Sequence, residues 1–150
     1  MQEYPHIYKT SAKGQPKGIV KVKSPGLATI DTTPPPEFGG PEGQWSPETL
    51  MIASVTDCFI MTFRAIARAS RLEWNDLECE AEGKLEKFNG IARFTFIDMR
   101  ATLSVPEGTR KAKANQLLRM AETNCLITNS MSADIRLDTI IEVDSDQQVA

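Results

Sequence analysis

Twenty residues from Leu50 to Ala69 place apolar or helix-forming side chains on most faces of a helix and carry charge only at Asp57, Arg64 and Arg68. A helix with so little polar surface has to be covered nearly all round, so it is expected at the centre of the fold, under a sheet and against a further subunit, with few residues in bulk water. The three charges argue against a membrane span. Its start is marked in the chain: Ser46 offers an oxygen to the orphan N–H groups, Pro47 suits the first helical position, and Glu48 complements the positive helix end.

The flanking sequence reads as strands. Gly18 to Lys23 and Leu27 to Thr32 cluster β-branched residues around Pro25-Gly26 and predict a hairpin. Thr33 to Gln44, with three consecutive prolines and repeated glycines, predicts a loop. Leu77 to Lys87 alternates with period two, placing Leu77, Cys79, Ala81 and Leu85 on one side. Ile91 to Val105 alternates likewise, and Asn89-Gly90 supplies the turn between two long antiparallel strands. Glu107 to Ala121 is a charged amphipathic helix, and Asp134 to Val143 a last strand. The expectation is one α+β domain over residues 1–150 in the order ββαββαβ.

Composition narrows the function classes. The chain of 150 residues has 41% hydrophobic and 25% charged residues, as ordinary globular domains do. Its net charge of -3 predicts no affinity for nucleic acid or for an anionic membrane. Met1 to Thr10 lacks the apolar stretch of a secretory signal, so a cytoplasmic location is expected. The three cysteines, twenty-one and forty-six residues apart, are too few for a disulfide scaffold and lack the close pairs of a zinc site. They read as free thiols.

Two of those thiols are candidates for chemistry. Cys58 lies about three turns into the long helix, and Cys125 sits where a charged helix gives way to the polar, cap-rich segment Thr128-Asn129-Ser130. A two-cysteine peroxidase needs a thiolate to attack a peroxide oxygen and a second thiol to condense with the sulfenic acid that results. Cys58 and Cys125 fit those two roles, and Phe38, Trp45, Phe59 and Phe63 would line a pocket for the apolar part of a substrate. As simple packing, the same cysteines would be small apolar fillers. Cys79 reads as packing on a sheet face. His6, the only histidine, lies in the N-terminal segment and is a poor catalytic base, while helix charge and capping account for Glu122, Asn129 and Ser130.

Two motifs resemble the OsmC/Ohr family, which comprises osmotically inducible protein C and organic hydroperoxide resistance protein. The first is Glu37-Phe38-Gly39-Gly40 with Ser46-Pro47-Glu48-Thr49-Leu50 and Cys58-Phe59. The second is Ala121 to Ser130 around Cys125, sixty-seven residues beyond Cys58. The resemblance covers nearly the whole chain. It implies an intertwined homodimer with the two long helices back to back and two sites built from both subunits. It further implies a peroxidase acting on organic hydroperoxides through a Cys58–Cys125 disulfide, re-reduced by an external dithiol such as protein-bound lipoate, with no metal, haem or flavin. In the family an arginine of the first hairpin, held by the glutamate that Glu48 matches, activates the thiolate. Aligning Gly14, Gly18 and Val20 on that hairpin puts Pro16 at the arginine position with Lys17 beside it, so Lys17 is the candidate cation and Glu48 its orienter. Lys17 would act as a point charge without the two-pronged fork of arginine, and Asp57 stands next to the thiol in sequence. The competing expectation is a non-catalytic dimer that binds an apolar small molecule and uses its cysteines as core or as redox-sensitive clasps.

Overall fold

The structure is a computed structural model that describes residues 1–145. Contacts divide the chain into two compact units, Met1–Met51 and Ile52–Ala150.

In the first unit, β1 (Ser11–Lys13), β2 (Val20–Lys23) and β3 (Ile30–Thr32) form an antiparallel sheet in that order. The expected hairpin is β2–β3, with Val20 opposite Thr32 and Val22 opposite Ile30. Its turn is closed by the Leu27 N–H donating to the Ser24 carbonyl at 3.1 Å. β1 was not legible, because Ser11, Ala12 and Lys13 have no apolar alternation and all three are exposed. The proline-rich loop holds a short 3-10 turn at Pro36–Phe38 and returns to the sheet where the Thr33 N–H donates to the Trp45 carbonyl at 2.9 Å.

Helix α1 (Pro47–Ala69) starts where the sequence places it. The Thr49 N–H donates to Ser46 Oγ at 3.1 Å, and the Ser46 N–H donates to Thr49 Oγ1 at 2.9 Å. That is a reciprocal capping box with threonine in the role usually given to glutamate. Ser46→Ala is expected to cost about 1 kcal/mol of stability, read from the urea midpoint, because it strips one of these partners from a buried helix end. An unchanged midpoint would show that the cap contributes nothing.

In the second unit, β4 (Asp76–Phe88), β5 (Ile91–Pro106) and β6 (Asp134–Asp144) form a sheet in that order. β4 and β5 are antiparallel through a two-residue turn in which Asn89 and Gly90 both have positive φ, 50° and 81°. Such primed turns match the right-handed twist of the flanking strands, and asparagine and glycine tolerate them best. The register shifts between Lys84 and Leu85, so Leu85, expected on the side of Leu77, is exposed instead. β6 pairs with β5 in parallel, Ala101 opposite Thr139. Parallel neighbours need a long crossover, and residues 107–133 provide it with helices α2 (Lys111–Thr123) and α3 (Leu126–Asn129). α2 begins four residues later than the composition suggests, since Glu107-Gly108 is spent on a turn closed by the Thr109 N–H and the Pro106 carbonyl, 3.3 Å apart.

The core of this unit joins α1, α2 and the inner face of the sheet. From α1 it takes the stripe Val55, Phe59, Phe63 and Ala67, spaced four apart as one helix face requires. Within one chain this stripe is the enclosed face and Met61 is 56% exposed, which leaves the other faces as those for which cover by a further subunit is expected. By length and hydropathy alone α1 would also suit a membrane, its best window averaging 1.6. The sheet that takes up the stripe, together with Asp57, Arg64 and Arg68, assigns it to a protein core.

A candidate thiol site in the second unit

Cys58 stands about three turns into α1, on the flank of the buried stripe, and is half-buried. One turn further on, Thr62 places its hydroxyl 3.9 Å from the Cys58 sulfur. Asp57 is exposed, as the rotation of about 100° per helical residue makes possible.

Cys125 ends the connection from α2 and is fully enclosed, at 0% exposure. The chain there is held tightly. The Cys125 N–H donates to the Glu122 carbonyl at 3.2 Å, and the Cys125 carbonyl accepts from the Asn129 N–H at 3.0 Å and from Thr128 Oγ1 at 3.1 Å. Asn129 Nδ2 donates back to the Thr123 carbonyl at 3.1 Å, and Ser130 Oγ donates to the Leu126 carbonyl at 2.7 Å. Asn129 and Ser130 thus fasten α3, and Glu122 contributes its backbone carbonyl. Such hydroxyl and amide bonds to nearby backbone are what these residue types do best outside helix interiors.

The two candidate thiols are neighbours. Burial pushes the Cys125 thiol above its ordinary value, Thr128 opposes that rise, and nearby Cys58 adds to it. Cys125 therefore keeps its proton, which suits a thiol that waits for a neighbouring sulfur to be oxidised. Thr62 has no role in the reading of the sequence, and Thr128 enters it only as part of a cap-rich segment. Their positions four residues after Cys58 and three after Cys125 were the available signal, since one turn of helix returns a side chain to the same side.

Cys79 joins this neighbourhood. It packs against the core, and its thiol is pushed up from 9.0 to about 12 by burial first, then by Cys125 and Glu80. A thiol that binds its proton more tightly when folded contributes its full stabilisation below the unfolded value and loses it as pH rises from about 9 to about 12. Cys79→Ala is therefore expected to flatten the loss of stability across that alkaline window in urea titrations. Parallel alkaline losses in the two proteins would show that the Cys79 proton is not coupled to folding.

Other expected site residues lie elsewhere or do other work. Phe59 and Phe63 are wholly enclosed in the core, Phe63 edge-on to Trp74 with centroids 5.4 Å apart, so neither offers surface to a ligand in this chain. In the first unit, Phe38 and Trp45 are 61% and 53% exposed, available but unassembled. Lys17 is exposed and forms no ion pair among the described residues. Glu48 buries one carboxylate oxygen, Oε2, with no hydrogen-bond partner. The Lys17–Glu48 pairing is thus not formed here, and a buried acceptor is left that a cation or donor would satisfy. His6 is exposed and stacks on Tyr4. Among the described residues no group of three or more His, Cys, Asp or Glu side chains is placed to hold a metal ion.

Comparison with known proteins bears on the fold and the family. An OsmC-like protein of unknown function from Vibrio cholerae superposes with a TM-score of 0.81 at 18% identity, over 91% of this chain and 100% of that one. An organic hydroperoxide resistance protein from Elizabethkingia anophelis gives 0.76 at 18%, over 95% and 100%. A Legionella pneumophila organic hydroperoxide resistance protein OsmC gives 0.71 at 22%, over 94% and 100%. In sequence, the uncharacterised YmaD of Bacillus subtilis is 26% identical over 136 residues, which is 88% of this chain and 90% of YmaD. The model of the OsmC-like protein family matches residues 39–140, a span that carries Glu48, all three cysteines and every element from α1 to most of β6, and the chain belongs to that family.

Proposed function

We propose that the chain is a thiol-dependent peroxidase that reduces organic hydroperoxides in defence against oxidative stress. The observation that carries the reading is that Cys58 and Cys125 are neighbours, a half-buried thiol on a helix beside an enclosed thiol that keeps its proton. The Cys58 thiolate attacks the outer peroxide oxygen, the O–O bond breaks, and the alkoxide takes a proton to leave as alcohol. Cys58 is then a sulfenic acid. Cys125 attacks its sulfur, water departs, and a Cys58–Cys125 disulfide forms. An external dithiol, of the lipoyl type or another, returns both thiols by exchange. Glu48 is assigned to orient a cation at the thiolate and Lys17 to supply it. The orphaned Glu48 oxygen supports a cation at that carboxylate, and Phe38 and Trp45 are assigned to the substrate's apolar part.

The working unit in this proposal is a homodimer in the cytoplasm, acting as one domain per chain, and the faces of α1 left open in a single chain supply the apolar surface such a dimer would cover. The names of the Legionella and Elizabethkingia relatives, organic hydroperoxide resistance proteins, point to the same substrate class.

The deciding experiment is intact mass and free-thiol count after one equivalent of cumene hydroperoxide is added to the reduced Cys79→Ser protein, with Cys58→Ser and Cys125→Ser as controls. Rapid loss of two thiols that needs Cys58 is the expected result. Thiols unchanged over minutes would favour the second reading, a non-catalytic dimer binding an apolar small molecule, which Pro16 at the position of the family's arginine supports.

A further inference from the structure

We infer that the Thr62 hydroxyl is the hydrogen-bond donor that holds the Cys58 sulfur in its ionised, attacking form. The inference rests on the peroxidase reading for the use made of that thiolate, but the hydrogen bond itself is a property of two residues one helical turn apart. Thr62 follows Cys58 by four residues, so the two side chains stand on one side of α1. The Thr62 oxygen lies 3.9 Å from the Cys58 sulfur. Both residues are half-buried, so water competes for the pair less than at an open surface. What singles Thr62 out is the partner it takes. A hydroxyl within a helix ordinarily turns back onto a carbonyl of the preceding turn. Thr56 on the same helix does so, donating to the Ala53 carbonyl at 3.0 Å, and Thr123 on α2 donates to the Arg119 carbonyl at 3.1 Å. Thr62 carries its hydroxyl to sulfur instead.

The two protonation states of Cys58 gain unequally from this contact. While the thiol holds its proton either group can donate, and a neutral bond to sulfur is weak. Once the thiol ionises, Thr62 alone of the two has a hydrogen to give, and a bond to an ionised acceptor is shorter and roughly twice as strong as a neutral one. The hydroxyl therefore favours thiolate over thiol while keeping its own proton. Thr62 stands on the same helix as the sulfur, so its contribution does not depend on Lys17, which forms no ion pair among the described residues. Stabilising the thiolate also weakens it as a nucleophile, by about the square root of the gain in ionised fraction. The titratable groups of this site, Cys125 at the α2–α3 connection, Cys79 on β4 and the exposed Asp57 on α1, are the same in every Thr62 variant, which separates the hydroxyl's effect from theirs.

The test compares the reduced protein with Thr62→Val, which keeps the branched shape and loses the hydroxyl, and Thr62→Ser, which keeps the hydroxyl. Each is alkylated with iodoacetamide from neutral pH to about pH 11. Trypsin then places the three cysteines on separate peptides, so the rate at Cys58 is read alone. The expected result for Thr62→Val is a crossed profile. About tenfold less thiolate near neutral pH, partly offset by a nucleophile about threefold stronger, makes alkylation about threefold slower there. Once both proteins are ionised, the same variant reacts about threefold faster than the parent. Thr62→Ser follows the parent throughout. A loosened helix cannot cross the curves, since a more open thiol reacts faster at every pH. Coincident profiles, a Thr62→Val offset of one sign at every pH, or Thr62→Ser behaving as Thr62→Val would overturn the inference. A parallel set receives one equivalent of cumene hydroperoxide near neutral pH, and Thr62→Val is expected to consume it about threefold more slowly. A crossed alkylation profile beside a hydroperoxide that none of the proteins consumes would sink the peroxidase reading and leave the hydrogen bond standing.

Discussion

Cys58→Ser abolishes organic hydroperoxide reduction, with a fall in turnover of at least about 10³-fold, because a serine hydroxyl is neither ionised near neutral pH nor able to cycle through a sulfenic acid. Cys125→Ser behaves differently. The first equivalent of hydroperoxide is consumed at nearly the normal rate, since Cys125 enters only after the O–O bond has broken. Turnover then stops or slows to the rate at which an outside thiol resolves the Cys58 sulfenic acid. Stopped-flow measurement of hydroperoxide loss, with single and multiple equivalents, separates the two variants. A Cys58→Ser protein that keeps its turnover would remove the nucleophile assigned here. Two variants with identical defects in the first turnover would make the thiols a structural pair rather than an ordered one. The distinction matters because adjacency alone is symmetrical. What breaks the symmetry is the full enclosure of Cys125 against the half-buried flank position of Cys58, together with the burial that keeps the Cys125 proton in place.

Much of this arrangement was legible in the chain where local chemistry decides it. Ser46-Pro47 starts α1 because a cap and a proline act within one turn, and Asn89-Gly90 sets the β4–β5 hairpin because only a few residue types accept positive φ at both positions. Both cysteines of the site stood out because each lies in a segment of unusual local character. Features decided by distant neighbours were hidden. The parallel pairing of β6 with β5 depends on how residues 107–133 cross over, not on the composition of β6 itself. The register shift at Lys84/Leu85 moves Leu85 to the outside although its spacing from Leu77 is even. Cys79 does pack against the core, as its alternating position indicates, but nothing near it in sequence foretells the influence of Cys125 on its thiol. Glu48 is the reverse case. It is plain in the sequence as an acid at a helix start, yet the burial of one of its oxygens without a partner is visible only in the fold.

The aromatic residues beside the thiols illustrate how one sequence pattern supports two roles that energetics can separate. Phe59 follows Cys58 and is fully enclosed with Val55, Phe63 and Ala67. Phe59→Ala removes most of a buried ring and leaves a cavity that the surrounding sheet and helices fill only in part, so a loss of about 3–5 kcal/mol is expected. For a chain of this length that is a fall in melting temperature of roughly 10–15 °C. Phe59→Leu keeps most of the apolar volume and should cost well under half as much. Measured by urea and thermal unfolding, this graded response marks a core residue. A substrate-lining residue would show the opposite pattern: little change in stability, and a rise in KM for bulky hydroperoxides with small ones unaffected. Should Phe59→Ala leave the unfolding midpoint in place while selecting against bulky substrates, the ring would belong to the pocket after all. The enclosed stripe of α1 would then have to open when substrate binds.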